Sequence, residues 1–316
     1  MDDIRDRVLG TNLAESDGMD WEHEVSTDAT LAGELVAEQF EEWSRLPVIH
    51  VDAVSTDNDI YRLGDHLALR LPRRGSAVAA IDKEHTWLPR LAASLPLKIP
   101  LPIARGQPSR GYPFPWSVVE WLDGAPVGAV DAKDSSNIAY DLARFILALH
   151  GNDAAGGPVA GEHNHWRGAP LNALDVELRR RFTLMADIPD IGEIIAAWER
   201  GLAVDVWAGP LVWVHGDLKG SNLLLRNEAL HGVLDWGLTG VGDPACDLSA
   251  AWSLFRGNAR AAFREAVEVD NATWARGRAW ALIEGVLALS YYRGRQEDLA
   301  QAGRRVLDQV LADERD

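Results

Sequence analysis

Val214-His215-Gly216-Asp217-Leu218-Lys219-Gly220-Ser221-Asn222-Leu223, and further along Val233-Leu234-Asp235-Trp236-Gly237, form the stretch on which the reading of this 316-residue chain turns. Two apolar runs, Leu211-Val212-Trp213-Val214 and Leu223-Leu224-Leu225, flank the polar loop from His215 to Asn222, a strand-loop-strand pattern. Asp217 and Asn222 stand five apart, and Asp235 closes the next apolar run. Asp, Asn, Gly and Ser are also ordinary turn residues, so any one of them alone would carry no message. The ordered set His215, Asp217, Asn222, Asp235 between two apolar runs is far more specific.

That order, H-x-D-x-x-x-x-N followed by D-x-G, is the one used for phosphoryl transfer. A carboxylate at Asp217 accepts the proton of an attacking hydroxyl and holds that hydroxyl in line with a γ-phosphorus; an ordinary carboxylate is a weak base, so positioning is the larger effect. Asn222 offers a neutral oxygen and Asp235 a charged one, both hard ligands suited to Mg²⁺, which neutralises phosphate charge. His215 reads as a brace for the loop through hydrogen bonds.

Working outward, the segment before this island is rich in strands and the one around it in helices. A helix is expected over residues 30–46, ended by Pro47. Short strands come next at Val48–Val54, Ile60–Leu63 and Leu67–Leu71, then a helix over 77–93 with Pro89 inside it, then strands near Ile103–Gly106 and Ser117–Trp121. Beyond Leu122-Asp123-Gly124 the periodicity predicts helices over roughly 135–150, 172–186, 190–202, 246–256, 258–268, 272–292 and 296–312. The expected fold class is therefore α+β, a small antiparallel sheet lobe over residues 1–121 and a larger, mainly helical lobe over 122–316, with a cleft between them.

Here the sequence resembles the aminoglycoside phosphotransferase family, small-molecule kinases with a bilobal protein-kinase-like fold. The likeness runs from about residue 48 to 290 and is most specific from His215-Gly216-Asp217 through Gly242-Asp243-Pro244-Ala245-Cys246-Asp247-Leu248. It implies Asp217 as catalytic base, Asn222 and Asp235 as holders of Mg²⁺, ATP or GTP as donor, and Asp247 as a support of the catalytic loop. Asp243 reads better as a cap of the following helix. The resemblance also implies a cation on the third strand, paired with a carboxylate on the next helix; Arg70 and Glu84 take those places, although the family has Lys where Arg70 stands. Arg keeps a permanent charge and can grip phosphate bidentately, but it is longer than Lys. With only four lysines in the chain, Arg70 also matches a compositional bias. The alternative is a nucleotide-binding pseudokinase.

The phosphate-covering turn Ser55-Thr56-Asp57-Asn58-Asp59 has no glycine, so Ser55 and Asn58 are the candidate donors there. Glu120-Trp121-Leu122 resembles the kinase hinge, placing Glu120 and Leu122 beside the purine. Few residues separate Asp235 from Gly242-Asp243-Pro244 and no A-P-E sequence comes after, which disfavours a regulated protein kinase. The acceptor is thus expected to be a small hydroxyl compound: an aminoglycoside-like or other antibiotic, or an amino alcohol, nucleoside or sugar.

Net charge is −17, which argues against nucleic acid and would attract a cationic acceptor. Asp187, Asp190, Glu193, Glu199, Glu265, Glu268 and Asp270 each read as solvated helix faces. Glu284 differs, because it interrupts the apolar run Leu282-Ile283-Glu284-Gly285-Val286-Leu287 and must be either paired in the core or facing a cavity, a candidate acceptor contact. His150, His163 and His165 are too irregularly spaced for a zinc site. The single cysteine, Cys246, reads as a small buried residue of a reducing compartment, and with no signal-peptide pattern and no membrane-length apolar run the expectation is a cytoplasmic protein without membrane partners.

Overall fold

Tyr61 and Leu63 in one short run, Leu69 and Leu71 in the next, recur at a spacing of two, which puts each pair on one face of a strand. In the computed structural model, which describes residues 24–52, 57–128 and 134–314, these runs are β2 (Asn58–Leu63) and β3 (Leu67–Pro72), paired antiparallel. With β1 (Val48–His50), β4 (Pro102–Gly106) and β5 (Trp116–Glu120) they make a five-stranded antiparallel sheet in the order β1-β2-β3-β5-β4. Helix α1 (Ala29–Gln39), capped by the Asp28 side chain, brings Ala32, Leu35 and Val36 into one buried cluster with Tyr61, Leu63, Leu69, Leu71, Tyr112, Trp116 and Val118.

Helix α1 stops earlier than Pro47 would require. Phe40 leaves helical geometry, packs on Trp43 with centroids 5.0 Å apart and meets Trp116 edge-on at 5.6 Å. Aromatic packing replaces a further turn, and only a single 3₁₀ turn, Glu41–Trp43, comes after it. Helix α2 (Val78–Leu91) keeps Pro89 without a break, because the proline falls in its last turn and forfeits a single ladder bond.

The described residues divide into two compact units. One holds those of Ser16–Ala125 together with Leu223–Gly237; the other holds Pro126–Asn222 and the chain from Leu238 onward. The passage lies in the two-residue strand β6 (Ala125–Pro126). The two apolar runs that flank the polar loop take different partners. Strand β7 (Val212–Val214) pairs with β10 (Gly240–Gly242), whereas β8 (Leu223–Arg226) forms a hairpin with β9 (Ala229–Val233) and goes to the sheet-bearing unit.

The second unit is mainly helical: α3 (Ser136–His150), α4 (Asp175–Leu184), α5 (Ile191–Leu202), α6 (Ala250–Leu254), α7 (Gly257–Val267), α8 (Asn271–Tyr292) and α9 (Glu297–Asp313). Helix α8 is buried on most of its sides and packs along α9, as α3 does along α7. The helix expected from 246 begins as a 3₁₀ turn, Pro244–Ser249, because Asp243 caps it and Pro244 opens it. Among the described residues no helix is long and apolar enough to cross a membrane.

Candidate functional site

Strand β7 delivers the chain into the loop at His215, and a buried carboxylate fixes the first turn of that loop. Asp247, on the Pro244–Ser249 turn and 1% exposed, accepts the His215 N–H at 2.9 Å and the Gly216 N–H at 2.8 Å. The Pro244–Ser249 turn is itself tied down: Asp243 accepts from the Ala245 N–H and takes a buried ion pair from Arg276 at 2.7 Å. Asp243 is thus the cap the sequence suggests, with a second, unforeseen task. The His215 ring is fully buried and its Nδ1 accepts the Asp217 N–H at 3.2 Å. His150 Nε2 lies 3.4 Å from Asp247.

Gly216 takes φ +81, and a Cβ there would stand 2.8 Å from the Leu238 carbonyl oxygen and 3.0 Å from Arg167 Cβ. Beyond that turn Asp217 keeps its side chain 16% exposed. Asn222 Nδ2 donates to both the backbone oxygen and Oδ2 of Asp217, each at 2.9 Å, so its own oxygen is the atom turned away from the carboxylate. Lys219 Nζ stands 2.8 Å from Asp217 Oδ2. Burial pushes the Asp217 carboxyl up, but Lys219, Arg167 and His215 together outweigh it and hold it below the ordinary carboxylate range. The anion is therefore the resident form.

In the sheet-bearing unit, Arg70 on β3 donates to Glu84 on α2, and its Nη2 is 3.9 Å from Asp235 Oδ1. Burial alone would lower the Arg70 pKa; Glu84 and Asp235 reverse that, so the cation is secure. Asp235 is half exposed and takes φ +60, an uncommon conformation for a residue with a side chain and one that Asp tolerates better than most. Two residues later the Gly237 carbonyl accepts a 2.6 Å bond from Lys83, the neighbour of Glu84 on α2. Burial lowers the Lys83 pKa to about 8, with Glu84 opposing. Helix α2 thus reaches Gly237 directly through Lys83, and Asp235 only by way of Arg70, which Glu84 holds. Nothing in the sequence marks Lys83, since a lone lysine next to a glutamate on a helix carries no pattern.

Of the remaining candidates, Ser55 lies outside the described residues. Asn58 is the first residue of β2 and not part of a turn. Glu120 ends β5 with its N–H on the Leu101 carbonyl, whereas no described residue hydrogen-bonds the backbone of Leu122. Glu284 proves to be paired: Ser249 Oγ donates to its Oε1 at 2.9 Å, and Arg167 Nη1 is 3.6 Å from the same atom. Burial raises its pKa to about 7, opposed by Arg167 and reinforced by Asp217. Asp187 and Asp190 lie in the turn between α4 and α5, not on a helix face, and are engaged by Arg293 and Arg304, while Glu199 on α5 is engaged by Arg179. Cys246 is buried and its thiol is pushed up by that burial.

For a divalent ion the test is the donor set. The side-chain oxygen of Asn222 and the half-exposed carboxylate of Asp235 are each hard donors, the kind of ligand Mg²⁺ takes alongside phosphate oxygens.

Residues 49–307 match the model of the phosphotransferase enzyme family, APH. A viomycin phosphotransferase of Streptomyces vinaceus is 30% identical over 197 residues, which is 60% of this chain and 67% of that one. Among solved structures, the GDP and kanamycin complex of APH(2")-IIia superposes with a TM-score of 0.72 at 19% identity, covering 89% of this chain and 98% of that one. The apoenzyme of macrolide 2'-phosphotransferase MphH from Brachybacterium faecium does so with 0.58 at 22% identity, covering 89% and 97%. At these identities the structures speak to the fold, a five-stranded antiparallel sheet with a mainly helical remainder.

Proposed function

The chain belongs to the phosphotransferase enzyme family and is a small-molecule kinase, and from that premise we propose that it transfers the γ-phosphoryl group of ATP or GTP, with Mg²⁺, to a hydroxyl of an antibiotic, Asp217 serving as base. The observation that carries the assignment of Asp217 is its setting: a carboxylate held ionised, 16% exposed, on a loop whose backbone is clamped by Asp247 and whose amide partner is Asn222. The carboxylate takes the hydroxyl proton and aligns the hydroxyl oxygen; a pKa below the ordinary range makes alignment the larger share. Lys219, against Oδ2, leaves the other oxygen for the substrate and stands ready to face phosphate charge.

On the donor side Arg70, oriented by Glu84, would grip the α- and β-phosphates in the role the family gives to Lys; its pairing with Glu84 supports a working substitute over a disabled site. The backbone of Leu122, which no described residue hydrogen-bonds, would meet the purine edge, next to Glu120. Ser55 and Asn58 remain candidates for the phosphates. Asn222 and Asp235 would hold the metal, which when bound neutralises charge on the phosphate oxygens. Related proteins named for viomycin, kanamycin complexes and macrolides support an antibiotic acceptor over an amino alcohol, nucleoside or sugar.

The test is transfer from ATP and from GTP to a panel of viomycin, aminoglycosides, macrolides, nucleosides and amino alcohols. Asp217→Asn should cut kcat by roughly 10²–10⁴ with an unchanged circular dichroism spectrum. Equal turnover would remove Asp217 from the chemistry, and nucleotide binding without transfer to any acceptor would point to a regulatory role.

A further inference from the structure

Arg167 belongs to a segment with no motif or apolar period to mark it in the sequence. His165 and Trp166 precede it with φ +48 and +60, and Gly168 comes after it with φ +83. A tryptophan in the left-handed region costs of order 1–3 kcal/mol and persists only where surrounding structure holds it. From this segment the side chain runs along the catalytic loop, its Cβ and Cγ standing 3.0 and 3.1 Å from where a side chain at Gly216 would begin. The glycine of His215-Gly216-Asp217 is thus required by Arg167 as well as by its own φ.

The residue is 9% exposed, yet its guanidinium hydrogen-bonds to no described residue. Nε and Nη1 are buried without partners among the described residues, and the Glu284 contact at 3.6 Å is too long for a hydrogen bond. The guanidinium lies over the Trp280 ring, 5.8 Å from its centroid, and the Trp280 Nε1–H is likewise buried and unpartnered. Buried polar groups in native proteins are satisfied almost without exception, and a buried charge without hydrogen bonds is costly. The unsatisfied atoms at this spot, Arg167 Nε and Nη1 and Trp280 Nε1, are all donors, so the group that completes them brings oxygen acceptors and not an ammonium. The local chemistry therefore runs against the net charge of −17.

We propose that Arg167 is a specificity-determining residue for the acceptor, its N–H groups holding a carbonyl or carboxylate oxygen of the molecule whose hydroxyl is phosphorylated, with Glu284 the partner it gives up on binding. The inference rests on the transfer reaction proposed above. Glu284 suits a displaceable partner because Ser249 already anchors it, and its half-protonated state near neutrality makes it a weak competitor.

The experiment measures acceptor and nucleotide KM for wild type, Arg167→Met, Arg167→Lys and Glu284→Gln, with hydroxyl acceptors sorted into those bearing a carbonyl or carboxylate and amino sugars bearing neither. Wild type should favour the first group. Arg167→Met should raise acceptor KM roughly 10- to 100-fold, the loss of one charged hydrogen bond, with nucleotide KM within about twofold of wild type; Arg167→Lys should fall between. Glu284→Gln should lower acceptor KM, a gain that structural damage would not produce, so the pair decides the matter even if the methionine variant folds poorly. Acceptor KM unchanged in Arg167→Met, or a wild-type preference for acceptors lacking such an oxygen, overturns the inference and leaves the proposed reaction standing. Absence of transfer by wild type to every acceptor overturns both.

Discussion

Replacing Asp247 tests the architecture of the loop more directly than replacing Asp217, because Asp247 touches backbone alone on the loop side. Its two oxygens accept the N–H groups of His215 and Gly216 at 2.9 and 2.8 Å in a fully enclosed position. Asp247→Ala removes both acceptors and leaves two buried N–H groups unpaired, each costing about 1–3 kcal/mol. Relief of a buried negative charge offsets part of this, so the net loss should be about 2–4 kcal/mol. Asp247→Asn keeps one acceptor and turns an NH₂ toward the other N–H, two donors face to face, so it should resemble the alanine variant more than wild type. Displacing the backbone just before Asp217 by about 1 Å should also cost about 10²-fold in kcat. Urea unfolding followed by tryptophan fluorescence gives the first quantity and steady-state transfer the second. A stability loss under about 1 kcal/mol with kcat within threefold of wild type would refute the idea that this carboxylate sets the loop.

Gly216→Ala should be destabilising by at least about 1–3 kcal/mol, since φ +81 is strained for alanine and its Cβ would press on the Leu238 carbonyl and Arg167; chemical denaturation and transfer assays should report both losses. Arg70→Met should raise nucleotide KM about 10-fold or more, whereas Arg70→Lys should keep most of the affinity, and equal KM for all three forms would remove Arg70 from the phosphate site. The Asp217 pKa is depressed, so its ionised form persists as pH falls until the folded value is reached. The acid limb of kcat/KM should therefore lie below the ordinary carboxylate range, and Lys219→Met should move it upward. Glu284 is raised to about 7, so the folded state keeps a proton that the unfolded state has released. Stability should fall as pH rises from the ordinary glutamate value through about 7, and Glu284→Gln should flatten that slope in denaturation curves taken from pH 4 to 8.

Much of this protein could be read before its fold was seen. Strands β2 to β5 and helices α2 and α8 lie within a few residues of their expected bounds, because a period of two or of 3.6 in apolar residues is a local signal. Asp217, Asn222 and Asp235 are proposed from spacing, Glu84 and Asp247 from the family likeness; the structure adds the contacts around them, Asp247 on the His215 and Gly216 N–H groups and Glu84 on Arg70. Helix α1 was overextended because the packing of Phe40 against Trp116 joins residues far apart in the chain.

The residues that went unread share one property: their meaning depends on a neighbour distant in sequence. Lys83 matters through a carbonyl 154 positions away, and Arg167 through Gly216, Trp280 and Glu284. Reaction class and fold class follow from local order, since a phosphoryl-transfer loop and an apolar period are written in adjacent residues. The partners of β7 and β8, the pairing of Glu284 and the lack of a hydrogen-bond partner for the Arg167 guanidinium among the described residues belong to the packed molecule, because burial and hydrogen-bond satisfaction are properties of the space around an atom and leave no trace in the order of the chain.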